Sequence, residues 1–312
     1  AARYLYKWLL VFPLMRNLTC LGTSDSVPSV KRNHTAILLT YEGENILIDC
    51  GEGTQRQFRK AGLNPCKITK ILLTHKHADH TLGLPGLLKT MALTGYNKNL
   101  EIYGPIGTKL FMENLFKTFG KIEEYKINIQ EVSGKFFENK DFVLEAERMT
   151  HGVPCNAYSF VKKGQIKIDK SKLKKHKLPE GIHLKDLKLG KNIKYNGKTY
   201  KAKDFTFVEN GKKISFVLDT SINEKIAPFV KNSDVLVCEA SYSSDLTNKA
   251  MEFHHLTSNQ AGDVAKKSKS KKLVITHLSQ RFENDMNRIL KEVKKVFKNT
   301  ELVKDLDVVK VE

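Results

Sequence analysis

The sequence predicts a layered α/β protein with a polar site at the ends of its strands and one inserted basic segment. Short apolar runs of strand length alternate with longer amphipathic runs of helix length along the 312 residues. Histidine or acidic residues come directly after several of the apolar runs. A lysine-rich stretch in the second half of the chain interrupts the alternation and contains few long apolar runs.

Nine short apolar runs fit strands, and four longer runs fit amphipathic helices. The predicted strands are Asn17–Gly22, Thr35–Tyr41, Asn45–Asp49, Lys70–Thr74, Leu100–Tyr103, Phe142–Ala146, Ile214–Asp219, Val235–Glu239 and Lys272–Thr276. The predicted helices are Leu82–Thr94, Thr108–Phe119, Ser258–Ser270 and Glu283–Phe297. Ser258 is a candidate N-cap for the third helix, because serine is favoured at that position.

The composition is that of a globular protein with an unusual charge. Hydrophobic residues make up 40% of the chain, while the formal net charge is +19, which favours a polyanionic partner such as RNA or DNA. Lysine enrichment also marks heat-adapted proteins, so charge alone favours nucleic acid only modestly. The five cysteines are scattered and form no CxxC pair, which indicates a reducing compartment, here the cytoplasm. No apolar run approaches the roughly 18 residues of a membrane span.

Two segments stand apart from this pattern. The apolar N-terminal stretch carries Arg3 and Lys7 but no small-residue cleavage site, so residues 1–14 are interpreted as an extension outside the core. Residues 15–312 are then predicted to form one domain. Within it, the basic segment (residues 162–204) holds fifteen lysines and four acidic residues, a net charge of +11. A charge run is often only a solvated face, but this one carries more than half of the excess charge, so we predict an inserted binding arm.

The motif His75-Lys76-His77-Ala78-Asp79-His80 is the strongest chemical signal in the chain. It follows the apolar run Ile71–Thr74, which is typical of a buried strand. His75 and His77 are two residues apart, so in an extended chain they face the same side. Imidazole and carboxylate ligands at this density suit two closely spaced divalent cations, and the ligand chemistry suits zinc. A histidine-rich loop without metal is the weaker interpretation.

Further reactive residues stand at the ends of apolar runs or shortly after one. They are Asp49, His151, Asp219, Glu239 and His277. The carboxyl ends of strands are where α/β folds place their sites. A single such residue would by default be a satisfied polar group of the core, but the shared context of several indicates a common rim.

The histidine motif, the separate His151, the later Asp219 and the final His277 together resemble the metallo-β-lactamase superfamily. The resemblance implies a four-layered αβ/βα sandwich with two metal ions at one edge of the sheets. Additional motifs resemble the ribonuclease Z family from about Asn17 onward. These motifs are Leu21-Gly22-Thr23-Ser24, Asp49-Cys50-Gly51-Glu52-Gly53-Thr54-Gln55, Glu239-Ala240, His255-Leu256-Thr257 and Thr276-His277-Leu278-Ser279-Gln280-Arg281-Phe282.

The resemblance to ribonuclease Z implies a zinc-dependent endoribonuclease that removes the 3′ trailer from precursor tRNA. The products would be a 3′-hydroxyl on the tRNA and a 5′-phosphate on the trailer. The basic segment lies where the short form of this family carries its tRNA-gripping arm. The family also implies a homodimer in which the arm of one subunit serves the site of the other.

The same resemblance implies two zinc ions per chain and a ligand set for each. One ion would be bound by His75, His77 and His151, and the other by Asp79, His80 and His277. Asp219 would bridge the two ions.

The resemblance finally implies three catalytic residues. Asp79 would orient the attacking water and accept its proton. Glu239 would align the imidazole of His255 near the leaving oxygen, and His255 would protonate that oxygen. The adjacent His254 lacks a threonine two residues on, which His255 has in Thr257, so His254 is interpreted as structural or incidental.

Two other functions remain open at this point. Another hydrolase of the same fold, such as an arylsulfatase or a phosphodiesterase acting on a small molecule, would share every metal ligand. The net charge, the basic segment and the His255–Thr257 element count against it. A non-catalytic RNA-binding protein of this fold is the other alternative, and the complete ligand set counts against that. Zinc analysis and turnover of precursor tRNA separate the three functions.

Overall fold

The computed structural model describes residues 16–311, so the N-terminal extension predicted at residues 1–14 lies outside the described residues. Two seven-stranded sheets pack face to face, and helices cover both outer faces. The four-layered αβ/βα sandwich is therefore confirmed. Within this part of the chain, no helix is both long enough and apolar enough to cross a membrane.

The first sheet has the strand order β18-β1-β2-β3-β4-β5-β6. Its strands are β1 (Arg16–Gly22), β2 (Ala36–Tyr41), β3 (Glu44–Ile48), β4 (Lys70–Leu72), β5 (Leu100–Gly104), β6 (Ile127–Glu131) and β18 (Val308–Lys310). Strands β3, β4, β5 and β6 are parallel, so their carboxyl ends meet at one edge.

The second sheet has the order β17-β16-β15-β14-β9-β8-β7. Its strands are β7 (Gly134–Glu138), β8 (Phe142–Met149), β9 (Cys155–Lys162), β14 (Lys212–Val217), β15 (Val235–Glu239), β16 (Lys272–Thr276) and β17 (Thr300–Leu302). Strands β14 to β17 are parallel to one another, whereas β9 runs antiparallel to β14.

The helices outside the inserted segment cover the sheets and connect their strands. They are α1 (Thr54–Lys60), α2 (Ala78–Thr81), α3 (Leu84–Leu93), α4 (Thr108–Phe119), α8 (Ile226–Phe229), α9 (Thr247–Glu252), α10 (Ser258–Lys267) and α11 (Met286–Val296). Short 3₁₀ turns occur at Pro65–Lys67, Ser244–Leu246 and Gln280–Phe282.

Alternate residues of one strand belong to different hydrophobic cores. In β2, Ile37 and Leu39 face the opposite sheet, while Leu38 packs under the helices of the first outer layer. In β15, Val237 faces the inter-sheet core and Leu236 the second outer layer. Both faces of these strands are buried, which is why the sequence shows them as continuous apolar runs rather than alternating ones.

Residues 165–209, called the basic arm from here on, form a small folded unit between β9 and β14. Its elements are β10 (Gln165–Ile168), α5 (Lys170–Lys175), α6 (Leu184–Lys188), β11 (Ile193–Tyr195), β12 (Lys198–Tyr200), α7 (Ala202–Phe205) and β13 (Thr206–Glu209). Strands β10 and β13 pair to form its base. The arm has its own apolar core, made of Leu173, Leu178, Leu184, Leu187, Ile193, Ala202 and Phe205.

The observed boundaries correct several predicted ones. Lys162, the first residue of the predicted basic segment, ends β9 and is buried 3.4 Å from Glu42. The last predicted helix begins at Met286 rather than Glu283. The predicted N-cap Ser258 is the first residue of α10, and Thr257 is the N-cap, with a capping box to Gln260 that satisfies backbone amides of the first turn.

Candidate metal centre and active site

The carboxyl ends of parallel strands from both sheets bring the polar rim together. Asp49 follows β3, and the histidine motif follows β4. In the facing sheet, Asp219 follows β14, Glu239 ends β15 and His277 follows β16. His151 follows the long strand β8. Sequence-distant residues therefore meet at one edge of the sandwich, as the sequence predicted for a common rim.

Two glycines allow the loop after β3 to pack against the short helix α2. The Cys50 amide donates to the His80 carbonyl at 2.8 Å. A Cβ on Gly51 would lie 2.4 Å from the Asp79 carbonyl oxygen, and one on Gly83 would lie 2.1 Å from the Gly51 carbonyl oxygen. Neither position has room for a side chain, so this close approach fixes where Asp79 and His80 lie.

The first ligand group consists of His75, His77, His151 and Asp219. His77 Nδ1 lies 2.9 Å from His75 Nε2 and 3.2 Å from His151 Nε2. Asp219 Oδ2 lies 3.7 Å from His75 Nε2 and 3.8 Å from His151 Nε2. Three ring nitrogens and one carboxylate oxygen thus surround a single point.

The second ligand group consists of Asp79, His80, His277 and again Asp219. The two Nε2 atoms of His80 and His277 are 3.2 Å apart. Asp219 Oδ1 lies 3.4 Å from His80 Nε2 and 3.1 Å from His277 Nε2. Asp79 Oδ2 completes the group at 3.2 Å from His80 Nε2 and 3.5 Å from His277 Nε2.

These two groups fit a pair of tetrahedral metal ions. Ligand atoms about 2.0–2.1 Å from a tetrahedral zinc are about 3.3 Å from one another, close to the separations found here. Asp219 Oδ1 is buried and accepts no hydrogen bond among the described residues, which is costly unless a cation satisfies it. Because Oδ2 faces the first group and Oδ1 the second, Asp219 has the arrangement of a bridging carboxylate.

The surroundings of Asp79 and Asp219, the carboxyl groups of the two ligand groups, favour their ionised forms. Burial alone would raise the pKa of Asp79, but the imidazoles of His277 and His80 outweigh it and hold that pKa well below its usual range. Burial likewise opposes ionisation of Asp219, and His277, His80 and His255 together lower its pKa. Ionised carboxylates beside imidazoles are the donor set that zinc takes.

A buried carboxylate orients one imidazole of each group. Asp49 Oδ2 is 2.7 Å from His80 Nδ1. Thr74 Oγ1 donates to the same Asp49 oxygen at 2.7 Å and lies 3.0 Å from His75 Nδ1. With Nδ1 of both rings engaged, Nε2 is left to face a metal ion. Asp49 itself has a φ of 56°, a strained left-handed conformation held by the surrounding contacts.

The main chain of His254 supports the first ligand group. Its carbonyl oxygen lies 3.1 Å from His151 Nδ1. His254 has a φ of 57°, and its own Nδ1 is 3.2 Å from Ser221 Oγ. The sequence indicated a structural or incidental residue, and the structure gives it a contact that orients His151.

Glu239 and His255 form a second pair beside the metal-ligand groups. Glu239 is fully buried, and its two carboxylate oxygens lie 3.0 and 3.1 Å from His255 Nδ1. Burial lowers the pKa of His255, but the Glu239 carboxylate and then Asp219 outweigh that effect and raise it to about 9. Glu239, His255 and His277 lie close enough together to hold an ion. However, the Glu239 carboxylate is already hydrogen-bonded to His255 Nδ1 and Ser241 Oγ, and Ser241 Oγ also contacts His277 Nδ1.

A pocket of about 380 Å³ opens beside His255. Its lining includes Tyr242, Phe253, Arg281 and residues 25–27. The Arg281 guanidinium lies 5.0 Å from the centre of the Tyr242 ring, while its Nε donates to Ser279 Oγ at 3.0 Å. A substrate group that enters this pocket would therefore lie against His255.

The sequence assigned no role to several residues that shape this site. Thr74, Ser241 and the carbonyl of His254 each hold a predicted ligand in place. Thr74 directly precedes the histidine motif and Ser241 follows Glu239 by two residues, so proximity in sequence was the available signal. Of the remaining histidines, His176 and His183 lie in the basic arm.

Comparison with known proteins identifies relatives that match nearly the whole chain. The ribonuclease Z of Listeria monocytogenes is 37% identical over 302 residues, covering 94% of this chain and 99% of its own. The ribonuclease Z of Nanoarchaeum equitans is 36% identical over 269 residues, covering 86% of this chain and 85% of its own. The family model described as anti-Pycsar protein Apyc1 matches residues 16–166, which is less than half of the chain.

Solved structures agree with this relationship. The crystal structure of human tRNase Z, short form, superposes with a TM-score of 0.69 and 26% identity, covering 95% of this chain and 99% of that one. The metallo-β-lactamase fold protein YhfI from Bacillus subtilis superposes with a TM-score of 0.67 at 19% identity, covering 94% and 98%, which bears on the fold alone. The extent and identity of the sequence matches show that this chain belongs to the ribonuclease Z family.

Proposed function

We propose that this chain is a zinc-dependent endoribonuclease that removes the 3′ trailer from precursor tRNA, leaving a 3′-hydroxyl on the tRNA and a 5′-phosphate on the trailer. The observation that carries the proposal is end-to-end similarity to ribonuclease Z proteins together with a complete pair of ligand groups. All five cysteines are free, which supports action in a reducing compartment such as the cytoplasm.

The proposed zinc sites are the two ligand groups joined by Asp219. Two bound zinc ions would make a water acidic enough to attack at neutral pH and would neutralise the phosphate oxygens. Asp79 would orient that water and accept its proton, because Oδ2 faces the second group while the carboxyl remains ionised.

Departure of the ribose 3′ oxygen requires a proton, and His255 is the proposed donor. Its Nδ1 is held by Glu239, so the opposite edge of the ring with Nε2 is directed away from that carboxylate. Nε2 lies 4.0 Å from Asp219 Oδ2, beside the ligand groups rather than within them. The Glu239 carboxylate raises the pKa of His255 and so favours the protonated ring that a general acid needs.

The basic arm is the proposed tRNA-binding element. It carries thirteen lysines and five acidic residues, a net charge of +8, on a unit with its own core. Lys167, Lys170, Lys185 and Lys188 line a groove of about 540 Å³ on its surface. A folded basic surface of this kind can neutralise several phosphates and release their counterions.

Topology supports a homodimer in which the arm acts on the partner's site. The site lies where β9 begins and β14 ends, whereas the arm leaves where β9 ends and β14 begins. The eight residues of β9 separate the two by roughly 25 Å. Leu82 and Leu93, which are 55% and 76% exposed, line a groove of about 660 Å³ between α1 and α3, a candidate dimer contact.

The arm can be removed without breaking the sheet. Lys162 pairs with Lys212 across β9 and β14, and Gly164 lies beside Gly211 at the base of the arm. Deleting residues 165–209 would leave the loop Lys163-Gly164-Asn210-Gly211, whose Asn-Gly pair favours a tight turn.

Mixed dimers test the proposal. Chains that lack the arm but keep the site would be combined with full-length His255→Ala chains, and each alone should cleave precursor tRNA far more slowly than the wild type. Recovery of cleavage in the mixture is expected if an arm serves its partner's site. No recovery, despite mixed dimers demonstrated by mass, would show that arm and site act within one chain.

A further inference from the structure

Ser241 lies between two parts of the site that the proposed chemistry treats separately. Its side chain is buried, and Oγ donates to Glu239 Oε2 at 2.6 Å. The same oxygen lies 2.9 Å from His277 Nδ1 and 2.9 Å from the His277 carbonyl oxygen. One hydroxyl therefore contacts both the carboxylate of the catalytic pair and the imidazole of a predicted metal ligand.

The direction of these hydrogen bonds follows from the number of protons present. His277 Nε2 faces Asp79 and Asp219 in the second ligand group, so Nδ1 carries the ring proton and donates to Ser241 Oγ. The hydroxyl has one proton of its own to donate. A carboxylate 2.6 Å away is a stronger acceptor than a neutral carbonyl 2.9 Å away, so that proton goes to Glu239.

We propose that Ser241 is a positioning residue that couples the Glu239 carboxylate to the second metal site. Glu239 then orients two imidazoles, His255 directly and His277 through the Ser241 hydroxyl. These hydrogen bonds from His277 to Ser241 and from Ser241 to Glu239, called the relay from here on, fix the ring orientation and tautomer of His277. The Nε2 lone pair then points into the second ligand group. This inference rests on the metal sites of the proposed function.

The relay is specific to one of the two sites. His80, in the same group, is held by Asp49, and His75, in the first group, is held by Thr74. His151 is held by the His254 carbonyl. None of these contacts involves Ser241, so among these four imidazoles of the two ligand groups, loss of its hydroxyl removes a hydrogen bond from His277 alone.

Zinc binding to the Ser241→Ala protein tests the proposal without relying on activity. Competition against a chromophoric chelator would measure both zinc affinities of the full-length chain. The second zinc should bind about 10–100-fold more weakly than in the wild type, which is the usual effect of removing a hydrogen bond that orients a metal ligand. The first zinc should bind within about twofold of the wild type.

Two further serine variants serve as controls. Ser243→Ala removes an equally buried hydroxyl two residues on, whose Oγ donates to Asp245 rather than to the site. It should bind both zinc ions as the wild type does. Ser241→Thr keeps the hydroxyl and should retain more of the second-site affinity than Ser241→Ala.

Each outcome bears on a distinct claim. A wild-type chain that binds one zinc would overturn the proposed pair of metal sites. A wild-type chain that binds two, with unchanged affinities in Ser241→Ala, would overturn the relay alone. If Ser241→Ala does not fold, Glu239→Leu, which cannot accept the Ser241 proton, tests the same relay from the Glu239 end. Weaker binding of the second zinc alone supports the relay, and wild-type affinity refutes it.

Discussion

Replacing His255 with alanine should separate two classes of substrate by their leaving groups. In the wild type, Glu239 holds the ring from Nδ1, and His255 lines the 380 Å³ pocket. A ribose 3′ oxygen is a poor leaving group that needs a proton, so cleavage of precursor tRNA should slow by roughly 10²–10⁴-fold. That range corresponds to about 2.7–5.5 kcal/mol of transition-state stabilisation.

The same substitution should have little effect on an activated diester. A nitrophenolate leaves without protonation, so hydrolysis of bis(p-nitrophenyl) phosphate should fall by less than about tenfold. Zinc content should stay unchanged, because His255 Nε2 is 4.0 Å from Asp219 Oδ2 and belongs to neither proposed metal-binding group. Single-turnover rates on both substrates, with elemental analysis of the same samples, would measure these effects.

His254→Asn is the matched control for this experiment. It removes the neighbouring imidazole, while asparagine tolerates the left-handed backbone that His254 adopts and its carbonyl can still face His151. Both substrates should be cleaved within a few-fold of the wild-type rates. Equal slowing of both substrates by His255→Ala, with both metals bound, would refute the general-acid role. Loss of zinc from the His255→Ala protein would instead indicate that His255 is a metal ligand.

Three other changes have defined expected outcomes. Asp219→Ala should lose both zinc ions, since its two oxygens face different ligand groups, and elemental analysis that finds a full pair would contradict the bridging role. Deleting residues 165–209 should make the negative slope of log affinity for precursor tRNA against log salt shallower by about 0.7–0.9 for each phosphate that the arm neutralises, while turnover of small diesters survives. Unchanged tRNA affinity would show that the basic arm is only a solvated surface. Glu239→Gln should lower the pKa of His255, because it removes the negative charge that raises this pKa. The rate of tRNA cleavage should then begin to fall at a lower pH than in the wild type as the pH rises. A pH–rate profile whose alkaline limb does not move would contradict this expectation.

The sequence predicted strands that form clear apolar runs, including β8, whose residues alternate between buried and half-buried, and it missed strands whose apolar run is interrupted. All nine predicted strands are present, with ends shifted by a few residues. Strand β9 was missed because Asn156 and Ser159 interrupt its apolar run. Both are buried through hydrogen bonds, Asn156 to the Val132 carbonyl at 2.8 Å and Ser159 to Ser215 at 2.8 Å. Such partners come from distant segments, so the run alone does not reveal them.

The basic arm shows a second limit of sequence reasoning. Its charge was evident, but its core residues are spaced irregularly among lysines and follow no single period. Leu173 and Leu187 belong to this one core although they lie on separate short helices, α5 and α6. Periodicity detects an element that buries one regular face, whereas this core is assembled from single residues of many short elements.

The ligand motifs of the candidate site were visible in the sequence, whereas the groups that orient them were not. The histidine motif is local, so its spacing alone indicated metal chemistry. The contacts of Ser241 with His277 and of the His254 carbonyl with His151 join residues 36 and 103 positions apart. They depend on which loops lie side by side at the edge of the second sheet, which a residue pattern along one chain does not specify.

The most direct test of the proposed function is cleavage of a precursor tRNA with an end-labelled 3′ trailer by the zinc-loaded wild-type chain. The expected result is a single cut that leaves a 3′-hydroxyl on the tRNA and a 5′-phosphate on the trailer, is abolished by chelation and is restored by zinc. A chain that binds zinc and hydrolyses small phosphodiesters, yet leaves the precursor intact, would contradict the account.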